Sequence, residues 1–401
     1  PYRPRFRPEL KIVSRTCDRR LCGGFENDCA VLHTIVHVLG SLEVGGGEQV
    51  ALNLATGQVA LGHRVHVVSL AEGAHGPHAA NFRNAGAVVH RVTKRGPSVD
   101  PSLSLRLALL FSRLRANFVH THNPLPLIYG AGAARFAGAV VVHTKHGRDQ
   151  ATRRQRLLRR FLGSSPHAIV GVSKQTAEEV VTQGECRKER VHVISNGIDL
   201  DRYGPSPECR ANLRNQLGIP ADAVVVGTVG RMSEIKNQPL LVRAMAPYLG
   251  PGLQLVIAGD GDHRSVVEGA VGELRNPQFV HLLGQRLDVP RVLPAFDIFA
   301  LSSRSEGLPM VLPEAMACEL PLVCTSVGGV PEVVGSDVGF LVAEGDAKAF
   351  GTQLQALAAD PALRHQLGTR ARAVALQRYS AQAMLGAYMA LYEQLRQRAV
   401  C

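Results

Sequence analysis

Ile298-Phe-Ala-Leu-Ser302 is followed, after three residues, by Glu306-Gly-Leu-Pro-Met-Val-Leu-Pro-Glu314 and then by Ala-Met-Ala-Cys-Glu-Leu320. A short apolar run, a loop with Gly and Pro, and a helix-like run succeed one another. Strand, tight loop and helix start make up the repeating unit of a parallel α/β sheet. The helix start offers backbone N–H groups to an anion. A glutamate stands at each end of that loop.

Outward from this stretch the same texture repeats. From Val31, short β-branched runs alternate with longer amphipathic ones. The runs are Val31–Leu39, Arg64–Leu70, Val88–Val92, Phe118–His122, Val140–His143, Ala168–Val172 and Val191–Ile194. After the turn-rich residues 196–207 the pattern restarts with Ala223–Val229, Leu253–Ala258, Phe279–Leu283, Ile298–Leu301, Leu322–Cys324 and Gly339–Val342. Nearly continuous apolar strands alternating with helices imply parallel sheets covered on both faces. The sequence predicts two doubly wound α/β domains, 30–205 and 206–379, with a helix over 380–401 that packs back on the first. Residues 1–29 have no apolar period and many Arg and Pro, and are expected to be a disordered basic tail.

Apolar residues make up 45% of the 401, enough for large cores. Aromatics are 5% and Trp is absent, which argues against an aromatic-lined sugar cleft. The formal charge of +12 favours anionic partners. No zinc-finger spacing or aromatic–basic strip accompanies it, so nucleic acid is not expected. The eight cysteines are scattered. Cys17, Cys22 and Cys29 lack the fourth ligand and spacing of a zinc site, and dispersed thiols fit a reducing cytoplasm. The first 28 residues hold no apolar stretch of a secretory signal. Leu125 to Val142 has the length of a membrane span, yet contains Pro126, three glycines and Arg135 and ends like a strand. The expected location is cytoplasmic, soluble or peripheral on the inner face of the membrane.

Several motifs stand where strands end. Gly45-Gly46-Gly47-Glu48 opens a helix after the first strand; glycines admit a ligand close to the backbone, and the helix N-terminus favours an anion. Val50 replaces the third glycine of a dinucleotide fingerprint, and a plain turn is the alternative. Gly230-Arg231-Met-Ser-Glu-Ile-Lys236 follows the first strand of the second domain. Its Arg fork and Lys point charge could reach one diphosphate, or be two solvated charges. His120 and His122 share one face of a strand end, and His143 and His146 close another, although lone histidines are more often structural. Asp199-Leu-Asp201 and Asp260-Gly-Asp262 sit in turns that favour Asp for backbone reasons, so no metal site is expected. Arg148 to Arg160 reads as a helix with Arg on most faces, either solvated or in contact with anionic lipid headgroups. Glu314 alone suits a helix dipole, and Glu306 alone reads as a surface acid. Paired across an anion site, they suit a sugar nucleotide, with hydroxyls at both ends and a diphosphate between.

On these residues the chain resembles a retaining glycosyltransferase of family 4, with the GT-B architecture of two facing Rossmann-like domains, over roughly residues 31–398. The most specific element is Glu306 with Glu314. Gly45-Gly-Gly-Glu48, Gly230-Arg-Met with Lys236, Asn196-Gly-Ile-Asp199, Gly259-Asp-Gly261 and Gly284-Gln-Arg286 agree in order and spacing.

The resemblance implies transfer of a hexosyl unit from a nucleotide-diphosphate sugar to a glycan, glycolipid or polyprenyl-linked acceptor in cell-surface polysaccharide biosynthesis. It implies no cofactor and no metal. Glu306 would hold hydroxyls of the transferred sugar, Arg231 and Lys236 the diphosphate, and His122 would lie beside the sugar. Gly46 and Gly47 would lie near the phosphate, Arg286 near the base and Glu314 on the ribose. The backbone of Leu308, Pro309, Met310 and Val311 would contact sugar and phosphate. Many members carry Phe-Gly where this chain has Leu308-Pro309; Pro309 lacks an N–H, which bears on sugar identity. The alternatives are a sugar-nucleotide epimerase or hydrolase on the same fold, and a catalytically silent sugar-nucleotide-binding module.

Overall fold

The computed structural model describes residues 31–43, 45–71, 76, 78–96, 100–147 and 163–400. The expected tail, its three cysteines and the Arg148 to Arg160 run lie outside the described residues. The chain divides into two compact units: 1–143 with 165–167 and 395–401, and 144–164 with 168–394.

Every strand expected from the sequence is present. One seven-stranded sheet contains β1 (Thr34–Leu39), β2 (Arg64–Ser69), β3 (Val88–Arg91), β4 (Phe118–His122), β5 (Val140–Lys145), β6 (Ala168–Gly171) and β7 (Val191–Val193). Its order is β3-β2-β1-β4-β5-β6-β7. Val31 and Leu32, assigned to the first strand by their apolar character, are exposed and precede it. The second sheet contains β8 (Val224–Val229), β9 (Leu253–Ala258), β10 (Val280–Leu282), β11 (Ile298–Leu301), β12 (Leu322–Thr325) and β13 (Gly339–Val342), in the order β10-β9-β8-β11-β12-β13. All five pairings of this second sheet are parallel.

Local chemistry starts the helices. Ser173 accepts from the Thr176 N–H to open the helix Lys174–Thr182, and Ser206 accepts from the Cys209 N–H ahead of Pro207–Leu217. Pro207 occupies the first helical turn, where its missing N–H costs nothing. The stretch 125–142 splits into the helix Pro124–Phe136 and the start of β5. Among the described residues no helix is long and apolar enough to cross a membrane. One apolar cluster in the first unit includes Val36, Val38, Leu107, Phe111 and Val141; the main cluster of the second includes Leu241, Met245, Ile257, Ile298 and Phe350.

Strand order decides where ligands go. In the first sheet the chain turns back between β1 and β4, and in the second between β8 and β11. Open α/β sheets bind ligands beyond the carboxyl ends of the strands at such switch points.

Candidate active site

The loops leaving β8 and β11 are bound to each other. Ser302 Oγ donates to the carbonyls of Lys236 (3.1 Å) and Asn237 (3.0 Å), and the Arg304 N–H donates to Ile235 O at 2.7 Å. This pins residues 235–237 beside the exit of β11. The Lys236 stem then passes Gly230, and its Nζ donates to Glu306 Oε1 at 2.6 Å. Ser303 Oγ donates to the same oxygen at 2.6 Å. With side-chain exposures of 23% and 10%, the Lys236–Glu306 pair is screened less than a surface pair. Arg231 lies on the same loop with its side chain exposed, while its carbonyl accepts from Gln238 Nε2 at 3.0 Å.

Glycines permit the backbone approaches that hold these loops. A Cβ on Gly259 would sit 1.9 Å from Gly230 O, and one on Gly328 would sit 1.8 Å from Glu306 O. Gly328 also has φ +56°, where a side chain is strained. The Met232 N–H donates to Asp260 O at 3.0 Å, and the Gly329 N–H to Gly307 O at 2.9 Å. Both Asp triplets close turns: Asp260 Oδ1 accepts from the Gly261 N–H (2.8 Å) and Asp199 Oδ1 from the Asp201 N–H (3.2 Å).

Beyond Glu306, Leu308 O accepts from Asn196 Nδ2 at 3.1 Å. Leu308, Pro309 and Met310 are buried, and Val311 opens the helix Val311–Ala317. Pro309 contributes its carbonyl, which accepts from the Leu312 N–H at 3.1 Å. Glu314 is buried in the first helical turn, and burial pushes its carboxyl up to about 7, against a hydrogen bond from Tyr203 and the charge of Arg202. Arg286 is clasped by both carboxylate oxygens of Asp288 at 2.7 Å.

In the first unit, Gly45 caps a helix that begins at Gly46 and Gly47 (Gly46–Ala60). His37 on β1 stands opposite His120 on β4, and His122 ends β4. All three rings are buried, with His37 Nδ1 3.0 Å from His122 Nε2 and His37 Nε2 2.8 Å from Gln58 Oε1. Nitrogens of the three histidines lie within 4.8 Å of one another, the one group among the described residues that could hold a metal ion. His143 is turned into its sheet, its Nδ1 3.0 Å from Thr121 Oγ1.

The structure thus brings Lys236 together with Glu306, and leaves Arg231 exposed on the loop of Lys236. Sequence reasoning missed Ser303, Tyr203, His37 and Gln58, and the Asn196-Gly-Ile-Asp199 motif gave Asn196 no role of its own. Only Ser303, three residues before Glu306, carried a local signal.

Two family descriptions match the chain: Glycosyltransferase Family 4 over residues 44–202 and Glycosyl transferases group 1 over 210–374. A D-inositol 3-phosphate glycosyltransferase of Saccharomonospora viridis is 30% identical over 308 residues, covering 69% of this chain and 70% of that protein. The chain belongs to glycosyltransferase family 4. Another relative, the UDP-Gal:alpha-D-GlcNAc-diphosphoundecaprenol alpha-1,3-galactosyltransferase of Escherichia coli, is 29% identical over 63% of this chain and 68% of its own length. The matched regions span only 60% and 58% of two further relatives. The crystal structure of Anabaena HepE with UDP and glucose superposes with a TM-score of 0.82 at 23% identity, covering 90% of this chain and 100% of that one. That likeness establishes the fold: this family 4 chain has the two-domain, Rossmann-like GT-B architecture expected from its sequence.

Proposed function

We propose that this family 4 chain transfers a hexosyl unit, with retention, from a nucleotide-diphosphate sugar to a glycan, glycolipid or polyprenyl-linked acceptor. The observation that carries this is the Lys236–Glu306 pair, 2.6 Å apart at the β8–β11 switch point. Breaking a glycosyl–phosphate bond leaves positive charge on the anomeric carbon and negative charge on the departing phosphate. Lys236 and Arg231 are the cations for that phosphate, so the proposal invokes no metal and no cofactor.

The acceptor oxygen bonds to the anomeric carbon from the leaving-group face. The electron pair of the broken bond goes to the diphosphate oxygen, which takes the acceptor's proton. Glu306 holds sugar hydroxyls and Glu314 the ribose. Arg286 and the backbone of 308–311 contact the base and the sugar phosphate, and Gly46, Gly47 and His122 complete the donor contacts. The Escherichia coli relative, by its name, uses a UDP-sugar and a lipid diphosphate, which supports this class of donor and acceptor. Four unpaired cysteines among the described residues are consistent with the reducing, cytoplasmic setting proposed.

The test is a thermal-shift panel of UDP, GDP, ADP and their hexose conjugates. A true donor at 100 times its Kd stabilises the fold by about 2.7 kcal/mol. The ligand that shifts the wild type must shift Lys236→Ala far less, and must be turned over with an acceptor. No shift from any of them defeats the proposal. Turnover without any acceptor favours the epimerase or hydrolase.

A further inference from the structure

Glu332 seats its carboxylate on the start of a helix that is remote from it in sequence. It lies in the short helix Val330–Val333 after β12, while Lys174 and Gln175 open the helix Lys174–Thr182 after β6. Both segments belong to the second unit. Glu332 Oε2 accepts from the Lys174 N–H at 2.9 Å, and Oε1 accepts from the Gln175 N–H at 3.0 Å. The next N–H, that of Thr176, donates to Ser173 Oγ at 3.1 Å. Two side chains therefore meet the first three N–H groups that the helix itself leaves unpaired. A charged acceptor strengthens such bonds, and the helix dipole favours a carboxylate there.

The seat holds the backbone next to Glu306. Gly329 O accepts from the Glu332 N–H at 3.1 Å, and the Gly329 N–H donates to Gly307 O at 2.9 Å. Gly328 lies against the carbonyl of Glu306, where an added Cβ would overlap it. A Cβ on Gly329 would come 2.9 Å from the Cβ of Ser173, which caps the same helix. One on Gly307 would overlap the His146 carbonyl. Segments packed at backbone distance have no side chain between them to absorb a shift. A displacement of 328–329 is passed on to 306–307.

We propose, resting on the reading that Glu306 holds hydroxyls of the donor sugar, that Glu332 is a positioning residue for Glu306. Seated on the helix start, it keeps Gly328 and Gly329 against Glu306 and Gly307, and so sets where the Glu306 carboxylate stands. Ser303 and Lys236 fix which way that carboxylate turns. Glu332 fixes the backbone that carries it. The contact can be cut from either side. Glu332→Ala removes the carboxylate, and Lys174→Pro removes one of the two N–H groups. Proline suits that place, because Lys174 is the first helical residue and Ser173 before it is extended, with φ −142° and ψ 162°. Lys174→Ala keeps the N–H and is the control.

The experiment takes two readouts on the full chain. Hydrogen–deuterium exchange over residues 327–334 follows the turn with no ligand present. Titration with UDP, GDP and ADP, and with UDP-glucose, GDP-mannose and ADP-glucose, gives the affinity of each nucleotide sugar relative to its free diphosphate. Glu332→Ala is expected to exchange faster over 327–334 and to weaken the nucleotide sugar about tenfold relative to the free diphosphate, the loss of one hydrogen bond to a charged group. Free diphosphate should bind as in the wild type. Lys174→Pro should show both changes in smaller degree and add nothing to Glu332→Ala, since the two cut one contact. Lys174→Ala should match the wild type. Should Glu332→Ala not fold, Lys174→Pro against Lys174→Ala carries the comparison. Unchanged exchange in Glu332→Ala, or full additivity of the two variants, would overturn the proposal and leave Glu332 a helix cap alone. Faster exchange with an unchanged affinity ratio would also overturn it, and Glu306→Ala then tells which part failed. If Glu306→Ala alone moves the ratio, Glu332 does not position it; if neither does, the placing of Glu306 on the sugar fails as well. A wild type that binds none of the six ligands defeats both.

Discussion

Lys236 Nζ lies 2.6 Å from Glu306 Oε1, and the two residues leave the strands that flank the second sheet's switch point. In the free protein each charge is balanced by the other, and in the reaction proposed an incoming diphosphate would compete for the lysine. On that proposal, removing Lys236 takes away the cation that meets the charge of the leaving phosphate. Lys236→Ala is expected to lower donor turnover about 10²- to 10³-fold. Because the pair is partly exposed, it should lower stability by only about 1 kcal/mol. Steady-state kinetics beside urea unfolding separates the two effects. Equal turnover in variant and wild type would make the pair merely structural.

Gly328 lies against the backbone of Glu306. Alanine there would combine φ +56° with a Cβ 1.8 Å from Glu306 O. Backbone strain of this kind costs about 1–3 kcal/mol, and the clash pushes Glu306 off its position. Gly328→Ala should therefore lose both stability and nucleotide affinity. Gly269 lies inside the helix Arg264–Gly272 with nothing within 4 Å of an added Cβ. Gly269→Ala should gain about 0.5–1 kcal/mol and leave binding unchanged. Melting curves and a nucleotide titration of both variants check the contrast.

The sheets were legible because buried parallel strands are written as apolar runs, and each run from Arg64–Leu70 to Gly339–Val342 became a strand. Lys236 and Glu306 were legible because each follows a switch-point strand. His37 and Gln58 were not. One sits within an apolar strand and the other on a helix face, and only strand pairing and helix packing bring them to His122. Tyr203 likewise reaches Glu314 from a turn over a hundred residues away, a contact with no local pattern. Arg286 was expected beside a base, and its salt bridge to Asp288 two residues on shows a local partner the motif did not foretell.

Glu314 should make stability depend on pH. Burial raises its carboxyl from 4.5 to about 7. Between those values the folded chain holds a proton that the unfolded chain has released. The contribution is complete below about 4.5 and is lost as pH rises through about 7. At 1.36 kcal/mol per pH unit the change is on the order of 3 kcal/mol. Glu314→Gln has no such proton, so its unfolding free energy should fall less steeply than the wild type's between pH 5 and 7. Urea denaturation across that range measures it, and parallel curves for the two proteins would contradict a buried, protonated Glu314.

Pro309 provides the sharpest check on the sugar end of the loop. Its carbonyl holds the Leu312 N–H at 3.1 Å, and it has no N–H of its own to offer a ligand. Pro309→Ala keeps the carbonyl and adds that donor. Freeing the unfolded chain should lower stability by about 0.4–1 kcal/mol. One added neutral hydrogen bond is worth about 0.5–1.5 kcal/mol, so the ratio of kcat/KM between two epimeric hexose donors should move about 2- to 12-fold while overall turnover survives. Competition between the two donors in one reaction reads that ratio directly. A ratio that stays fixed while stability falls would mean that the backbone at 309 does not touch the sugar, and that the Leu308-Pro309 departure concerns loop rigidity alone.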